Sequence, residues 1–228
     1  MEKQTVRDFD PQGKRVLVRV DFNVPIEDGR VKDDSRIRAA LPTINYLLEH
    51  GASVVLMSHL GRPKGKVVES MRLTPMAGRL KELSGFDVVK LEDCVGAAVR
   101  SAIDKAPSKS VVLLENVRFH AGDETCDAAF SKELAQNGDV FVNDAFGSSH
   151  RDHCSVAGVA RILDLETRNS ELESDNARLE RWGRSAAGSL RPARGSARSC
   201  QRPRDWPYRR RLGKAAEGAA AVVGDHVG

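Results

Sequence analysis

Several predicted strands of this 228-residue chain end in side chains that could hold a small anion. Residues 16–20 alternate around an apolar, β-branched core, which predicts a buried strand, and Asp21 and Asn23 follow it directly. Ligands of open parallel α/β sheets bind just beyond the carboxyl ends of the strands. Asp21 and Asn23 are therefore candidates for holding a small polar ligand, although a capped strand end would use the same residue types.

Basic side chains follow the later predicted strands and open the first predicted helix. These candidates are Arg36, His59, Arg62, Arg118, His150 and Arg151. Guanidinium groups present forked donors that match carboxylate and phosphate groups. Like charges about 4 Å apart repel by roughly 4 kcal/mol at an effective dielectric constant near 20. Four arginines at one sheet edge therefore indicate a polyanionic ligand.

The pattern of residues 1–163 brings these side chains to a common edge. Apolar strands are predicted at residues 16–20, 53–58, 87–91, 111–114 and 140–142. Helices are predicted at residues 36–48, 74–84, 95–103, 128–134 and 155–163, the first capped at residues 33–35 and the second at Thr74. Such alternation is typical of an α/β fold, here a three-layer, Rossmann-like parallel sheet with helices on both faces. Right-handed crossovers then place all the strand ends on one edge.

A metal centre fits the sequence less well than an anion site. His59, His150 and His153 lack helical metal-ligand spacing, and no carboxylate cluster completes a site around them. The four cysteines form no CxxC motif, so we expect reduced thiols and no bound metal.

Nucleotide-binding and nucleophile motifs are also missing from the sequence. The segment Gly61–Lys66 superficially resembles a P-loop, but one residue too few separates its glycines and Val67 replaces the required Ser or Thr. No GxGxxG follows a strand, and no nucleophile with an adjacent base stands out. A basic edge without these groups fits phosphoryl transfer, where catalysis is mostly positioning and charge stabilisation.

Charge and composition divide the chain near residue 163. Residues 164–228 carry 13 basic and 9 acidic groups, which accounts for the whole net charge of +4. Residues 184–214 are rich in Arg, Gly, Ser, Ala and Pro, a composition that predicts a largely disordered or irregular tail. This tail could be a nucleic-acid-binding arm, but we favour sequence translated out of frame from GC-rich DNA, and we do not expect nucleic-acid binding.

The start of the chain lacks the apolar region of a secretory signal, and no stretch reaches membrane-spanning length. With 40% hydrophobic and 30% charged residues, the composition is that of a soluble globular protein. We therefore expect a cytoplasmic protein without a membrane partner.

Five segments in order resemble the N-terminal domain of the phosphoglycerate kinase family. They are RVDFNVP (19–25), SRI (35–37), SHLGRP (58–63), LLENVRFH (113–120) and FVNDAFGSSHRDH (141–153). The resemblance covers residues 1–163, the predicted 3-phosphoglycerate-binding domain, whereas residues 164–228 look unrelated to the family.

The resemblance implies a specific substrate and specific roles. It implies reversible phosphoryl transfer between 1,3-bisphosphoglycerate and ADP, giving 3-phosphoglycerate and ATP in glycolysis, by a protein expected to be a monomer. Asp21 and Asn23 would contact the glycerate end, and Arg36 would stabilise the transferring phosphoryl group. The carboxylate and phosphate would be held by the remaining substrate residues, which are His59, Leu60, Gly61, Arg62, Arg118, His150 and Arg151.

The largest departure from the family lies beyond residue 163. The family continues into a second domain that binds Mg²⁺ with ATP or ADP, and its GGAKVSDK-like and GGGDS-like segments are absent here. A frameshift near Asp164 or a truncated coding sequence is the simplest interpretation. Two hypotheses therefore stay open: a phosphoglycerate kinase, or a fragment that binds 3-phosphoglycerate without catalysis. A smaller departure is Gly147-Ser148-Ser149, where the family usually has Gly-Thr-Ala.

Overall fold

The computed structural model describes residues 5–164 and the backbone of a short strand at residues 222–223. The strands are β1 (Arg15–Val20), β2 (Ile26–Glu27), β3 (Arg30–Val31), β4 (Ser53–Met57), β5 (Val88–Lys90), β6 (Val111–Leu113), β7 (Val140–Asp144) and β8 (Val222–Val223). The helices are α1 (Ser35–Glu49), α2 (Thr74–Ser84), α3 (Ala97–Asp104), α4 (Gly122–Thr125) and α5 (Ala128–Ala135). A π-helical turn, Cys154–Gly158, continues into helical residues 159–164.

The main sheet has the order β5-β6-β4-β1-β7-β8, and all its strand pairs are parallel. The central strand β1 pairs Val18 with Leu56 of β4 on one side and with Val142 of β7 on the other. Since β1 lies between β4 and β7, the loops after these three strands are neighbours at one edge. The predicted parallel α/β sheet is confirmed.

Helices cover both faces of this sheet, as the alternation along β1 requires. Val16, Val18 and Val20 pack on one face with residues of α1 and α2, including Ile44 and Leu80. Leu17 packs on the opposite face, whose cluster includes side chains of α3 and α5 and of the C-terminal helical segment, namely Val99, Ile103, Leu134, Val159 and Leu163. The three-layer prediction is therefore confirmed.

The structure corrects one expected helix cap, refines the other and adds one hairpin. Thr74 lies inside α2 rather than capping it, because Leu73 is the N-cap and donates its N–H to the buried Glu115 carboxylate. At the start of α1, Asp33 Oδ1 accepts the N–H of Ser35 at 2.9 Å, whereas the Asp34 side chain makes no capping hydrogen bond and binds Arg38 and Arg79. Strands β2 and β3 form an antiparallel hairpin that the sequence analysis missed.

The prediction that residues 164–228 are irregular falls almost wholly outside the described residues, as does the hypothesis of nucleic-acid binding by the arginine-rich segment. The structure does place Val222–Val223 beside β7. Among the described helices, none has the length and apolar character needed to cross a membrane.

Gly138 lies just before β7, in close contact with β1, and a substitution there tests how tightly the two segments pack. A Cβ there would lie 2.7 Å from Leu17 Cβ and 3.0 Å from Leu17 N. We expect Gly138→Ala to lower the free energy of unfolding by about 1–3 kcal/mol, because backbone would have to move. Urea unfolding measures this. Gly78→Ala is the control, since the helical Gly78 has no neighbour within 4 Å of an added Cβ, and here alanine should stabilise by up to ~1 kcal/mol. Equal effects of the two substitutions would contradict the close approach.

Candidate functional site

Hydrogen bonds tie the loop after β1 to the loop after β4. The Ser58 hydroxyl accepts the backbone N–H of Phe22 at 2.9 Å, and Asn23 Oδ1 accepts the N–H of Gly61 at 2.9 Å. Asn23 therefore links the two loops and is also a candidate for contacting a bound molecule.

Asn116 ties the loop after β6 to the same place. Its Nδ2 donates to the carbonyls of Leu60 and Met71 at 2.8 and 2.9 Å, and its Oδ1 accepts the N–H of Arg118 at 3.1 Å. Gly61 has φ +63°, and a Cβ there would lie 2.9 Å from Met71 Sδ, so only glycine fits this loop without strain.

These loops enclose a cavity of about 270 Å³ at the carboxyl edge of the sheet. Its lining consists of Asp21, Asn23, Arg36, His59, Gly61, Arg62, Gly147, Ser148, Arg118 and Arg151. Two predicted residues lie outside the lining: the Leu60 side chain is buried, and His150 is exposed to solvent. Gly147 and Ser148 are lining residues that the sequence analysis did not assign. The volume suits a small ligand.

The charges of the lining are strongly unbalanced. Four arginines face one carboxylate among the lining residues that the structure describes, and that carboxylate, Asp21, is paired with Arg36 at 2.6 Å. Arg62 and Arg151 are exposed at the mouth. A small anion would relieve the resulting repulsion between the arginines.

Arg118 is the buried member of this set. One of its Nη groups donates to the Gly61 carbonyl at 2.8 Å, while its Nε has no hydrogen-bond acceptor and lies 3.4 Å from Glu124 Oε1. Burial lowers the pKa of Arg118, and Arg151 and Arg62 contribute in the same direction. An anion in the cavity would compensate a guanidinium that the protein leaves incompletely paired.

His59 enters the cavity as a neutral ring. Burial first, and then the neighbouring Arg19, lower the pKa of His59 to about 2. Arg19 Nη2 lies 2.9 Å from His59 Nδ1, and because arginine can only donate, Nδ1 accepts and Nε2 carries the proton. His59 can therefore donate one neutral hydrogen bond without adding charge.

The sequence analysis missed the buried polar group behind His59. Arg19 is 1% exposed, and its Nε donates to Ser155 Oγ at 3.2 Å. Asp123, also fully buried, accepts the N–H of Ser155 at 3.0 Å, and its other oxygen lies 3.8 Å from His153 Nδ1. Burial lowers the pKa of Arg19 to about 10, against the opposing effect of Asp123. The sequence signal that could have revealed this buried polar group is an arginine, Arg19, inside an otherwise apolar strand.

A larger groove of about 910 Å³ lies between β3 and α2. Several of its charged residues pair with one another: Asp34 binds Arg79 at 2.6 Å and Arg38 at 2.8 Å, and Arg79 also binds Glu82. Because four basic side chains of this lining face three carboxylates, its charges nearly balance, and the groove does not call for an anion as the smaller cavity does.

The depressed pKa of His59 predicts a loss of stability in acid. The unfolded chain takes up a proton near pH 6.5, whereas the folded chain does not until about pH 2. Stability should therefore fall as the pH drops below 6.5, by up to ~1.4 kcal/mol per pH unit for this one group. Urea unfolding at several pH values tests this. His59→Gln should reduce the slope and the exposed His50→Gln should not; an unchanged slope in both would contradict a neutral buried His59.

The fold and the cavity together define a class: an α/β protein with an arginine-rich cavity, suited to a small polyanion, at the carboxyl edge of a parallel sheet. Comparisons with known proteins narrow this class. A family model described as phosphoglycerate kinase matches residues 6–174. The chain belongs to the phosphoglycerate kinase family.

Individual relatives agree with this assignment. The phosphoglycerate kinase of Gloeothece citriformis is 60% identical over 179 residues, which cover 77% of this chain and 45% of that protein. That of Pelotomaculum thermopropionicum is 59% identical over 163 residues, covering 72% and 42%. The chain thus spans less than half the length of these relatives. The predicted boundary at residue 163 stays a prediction.

Solved structures show the same partial coverage. Phosphoglycerate kinase from Coxiella burnetii aligns with a TM-score of 0.60 at 34% identity, over 70% of this chain and 39% of that one. The enzyme from Pyrococcus horikoshii gives a TM-score of 0.61 at 36% identity, over 70% and 40%.

Proposed function

We propose that the cavity binds 3-phosphoglycerate and that this chain provides the substrate-binding part of a phosphoglycerate kinase. The observation that supports this most strongly is the set of four arginines facing a single carboxylate in a cavity of about 270 Å³. A ligand with a carboxylate and a phosphate would compensate several of these charges at once.

We assign the binding of the substrate's two anionic groups to the exposed arginines at the mouth and to the buried Arg118. Arg62, Arg118 and Arg151, with the neutral N–H of His59, would hold the carboxylate and phosphate. Asp21 and Asn23 would accept or donate hydrogen bonds at the glycerate end. Leu60 would only help to position the loop, because its carbonyl accepts a hydrogen bond from Asn116. His150 is exposed and lies outside the lining, so it would contribute at most long-range attraction.

Arg36 is the residue that we assign to the chemistry. It lies in the first turn of α1, half exposed at the cavity mouth, and Asp21 holds it at 2.6 Å. From there a guanidinium could stabilise charge that develops on a transferring phosphoryl group, a role that is worth about 10³–10⁵ in rate for arginine fingers.

The Mg²⁺ that accompanies ATP or ADP in the family does not fit this cavity. A Mg²⁺ ion prefers several oxygen ligands, and the described lining offers one carboxylate among four arginines. We therefore assign no nucleotide or metal role here. Tested by itself, the chain should bind 3-phosphoglycerate without transferring a phosphoryl group; we also propose that it is monomeric and acts in the cytoplasm.

Two measurements on the full chain test the proposal. Calorimetric titration with 3-phosphoglycerate should give saturable one-to-one binding, and inorganic sulfate should compete. A coupled assay with ATP and Mg²⁺ should show no turnover above that of Arg36→Met. Absence of binding by folded protein would overturn the proposed ligand. Turnover that Arg36→Met abolishes would overturn the binding-only hypothesis and support a complete kinase.

A further inference from the structure

The fold brings together three metal-ligating side chains outside the anion cavity. Within the described part of the chain, Asp93 and Cys94 in the loop after β5 meet His120 in the loop after β6. One carboxylate oxygen, the thiol sulfur and one imidazole nitrogen all lie within 4.8 Å of one another. A segment of 25 residues separates Cys94 from His120, so no sequence motif marks this group.

Contacts with the rest of the domain hold these side chains in place. Asp93 Oδ1 lies 2.6 Å from His120 Nε2, and the His120 ring stacks on Phe130 with ring centroids 4.7 Å apart. The Cys94 carbonyl accepts a buried hydrogen bond from Asn137 Nδ2 at 2.8 Å. The three residues are therefore already held close together without an ion, which lowers the entropy cost of ordering them on binding.

Exposure suits an ion that enters from solvent. The Cys94 thiol is fully buried and donates to the Glu115 carbonyl at 3.0 Å, forming the floor of the group. The Asp93 and His120 side chains are 54% and 31% exposed and form its rim. An ion seated here would touch all three side chains and keep one position open for water.

We propose that Asp93, Cys94 and His120 bind a thiophilic divalent cation of the zinc class. Sulfur, nitrogen and oxygen donors suit Zn²⁺, whereas Mg²⁺ and Ca²⁺ prefer oxygen alone. In a tetrahedral zinc site the donor atoms lie about 3.4–3.8 Å apart. The Asp93–His120 pair would open and the thiol would move inward, each by about 1 Å or less.

Binding exchanges one bond at sulfur and one at nitrogen. The S–H bond of Cys94 breaks, a sulfur–zinc bond forms, and the proton leaves to solvent or buffer. His120 Nε2, which donates its proton to Asp93, loses it to Nδ1 or to solvent and then forms a nitrogen–zinc bond; no oxidant or reductant takes part. The thiol also gives up its hydrogen bond to Glu115. Because the Cys94 sulfur donates to the Glu115 carbonyl, the thiol is protonated before the ion binds.

The ion would join two loops that the anion cavity depends on. His120 lies two residues beyond Arg118, and the N–H of Glu115 donates to the Asp93 carbonyl at 3.3 Å. A bound ion should therefore stabilise the domain and raise its melting temperature. None of its three ligands lines the anion cavity, so the inference stands apart from the proposed substrate.

Cobalt and zinc titrations of the reduced full chain test the proposal, with Cys200→Ser as the background so that this thiol, outside the described residues, cannot contribute. One equivalent of Co²⁺ should produce a thiolate-to-metal charge-transfer band, which Zn²⁺ abolishes and millimolar Mg²⁺ does not. Cys94→Ser should abolish the band, and His120→Gln should weaken zinc binding at least about tenfold. Cys126→Ser, which changes a half-buried thiol outside the group, should leave both unchanged.

Two results would overturn the site: a folded chain that shows no such band, or an unchanged band and zinc affinity in His120→Gln and Asp93→Asn. These two variants change partly exposed side chains, and they decide the question even if Cys94→Ser fails to fold.

Discussion

Replacing Arg62 and Arg151 together with methionine is expected to weaken 3-phosphoglycerate binding by about 10²- to 10⁴-fold. Each arginine would make charge-assisted hydrogen bonds worth roughly 1.5–3 kcal/mol to the bound anion. Both are exposed, and both line the cavity. Methionine keeps most of the side-chain volume while it removes the charge and the donors. Calorimetry on the double variant and the unchanged chain measures the difference.

A second double variant separates this local effect from a loss of net charge. Arg100→Met with Arg161→Met removes the same two charges from residues that do not line the cavity. We expect its affinity to change by less than about threefold in physiological salt, where distant charges are largely screened. Similar losses in both double variants would show attraction by overall charge and would contradict a built anion site.

Glu115→Gln is expected to have the largest effect on stability, about 3–5 kcal/mol. The Glu115 carboxylate is 1–2% exposed, and Oε1 accepts the N–H groups of Leu73 and Asn116 at 2.9 and 2.8 Å. Oε2 pairs with Lys90 at 2.8 Å and with Arg72 at 3.1 Å. A glutamine amide would remove the buried negative charge and leave two cations facing a neutral group. The free energy of unfolding in urea tests this.

Glu92→Gln is the matched control, because Glu92 binds the same Arg72 nitrogen at 3.1 Å but is 79% exposed. An ion pair so exposed contributes at most ~1 kcal/mol. If Glu115→Gln cost no more than Glu92→Gln, the account of Glu115 as a buried anchor between α2, β5 and the Arg118 loop would be wrong.

The sequence predicted the sheet edge well because it depends on local patterns. An apolar strand followed by Asp21 and Asn23, and three further strands followed by basic residues, locate a common edge once the strands are parallel. Turn chemistry could also have predicted the hairpin, since Asp28 and Gly29 both have positive φ and Asp-Gly is a strong two-residue hairpin signal.

Groups that tertiary packing brings together could not be predicted in this way. The sequence offered His150 and Arg151 as equal candidates for the site, yet after β7 only Arg151 lines the cavity. The pairing of Arg19 with His59 joins a residue of β1 to one in the loop after β4, and so sets a protonation state that no motif encodes. Asp93, Cys94 and His120 likewise belong to two loops that only the order of β5 and β6 makes adjacent.

A crystal structure of the full chain with 3-phosphoglycerate tests the central claim most directly, because it locates the anion. We predict the ligand in the cavity at the carboxyl edge of the sheet, with its charged groups on Arg62, Arg118 and Arg151 and its glycerate end near Asp21 and Asn23. A ligand bound instead in the groove between β3 and α2, or an empty cavity at saturating ligand, would contradict the account.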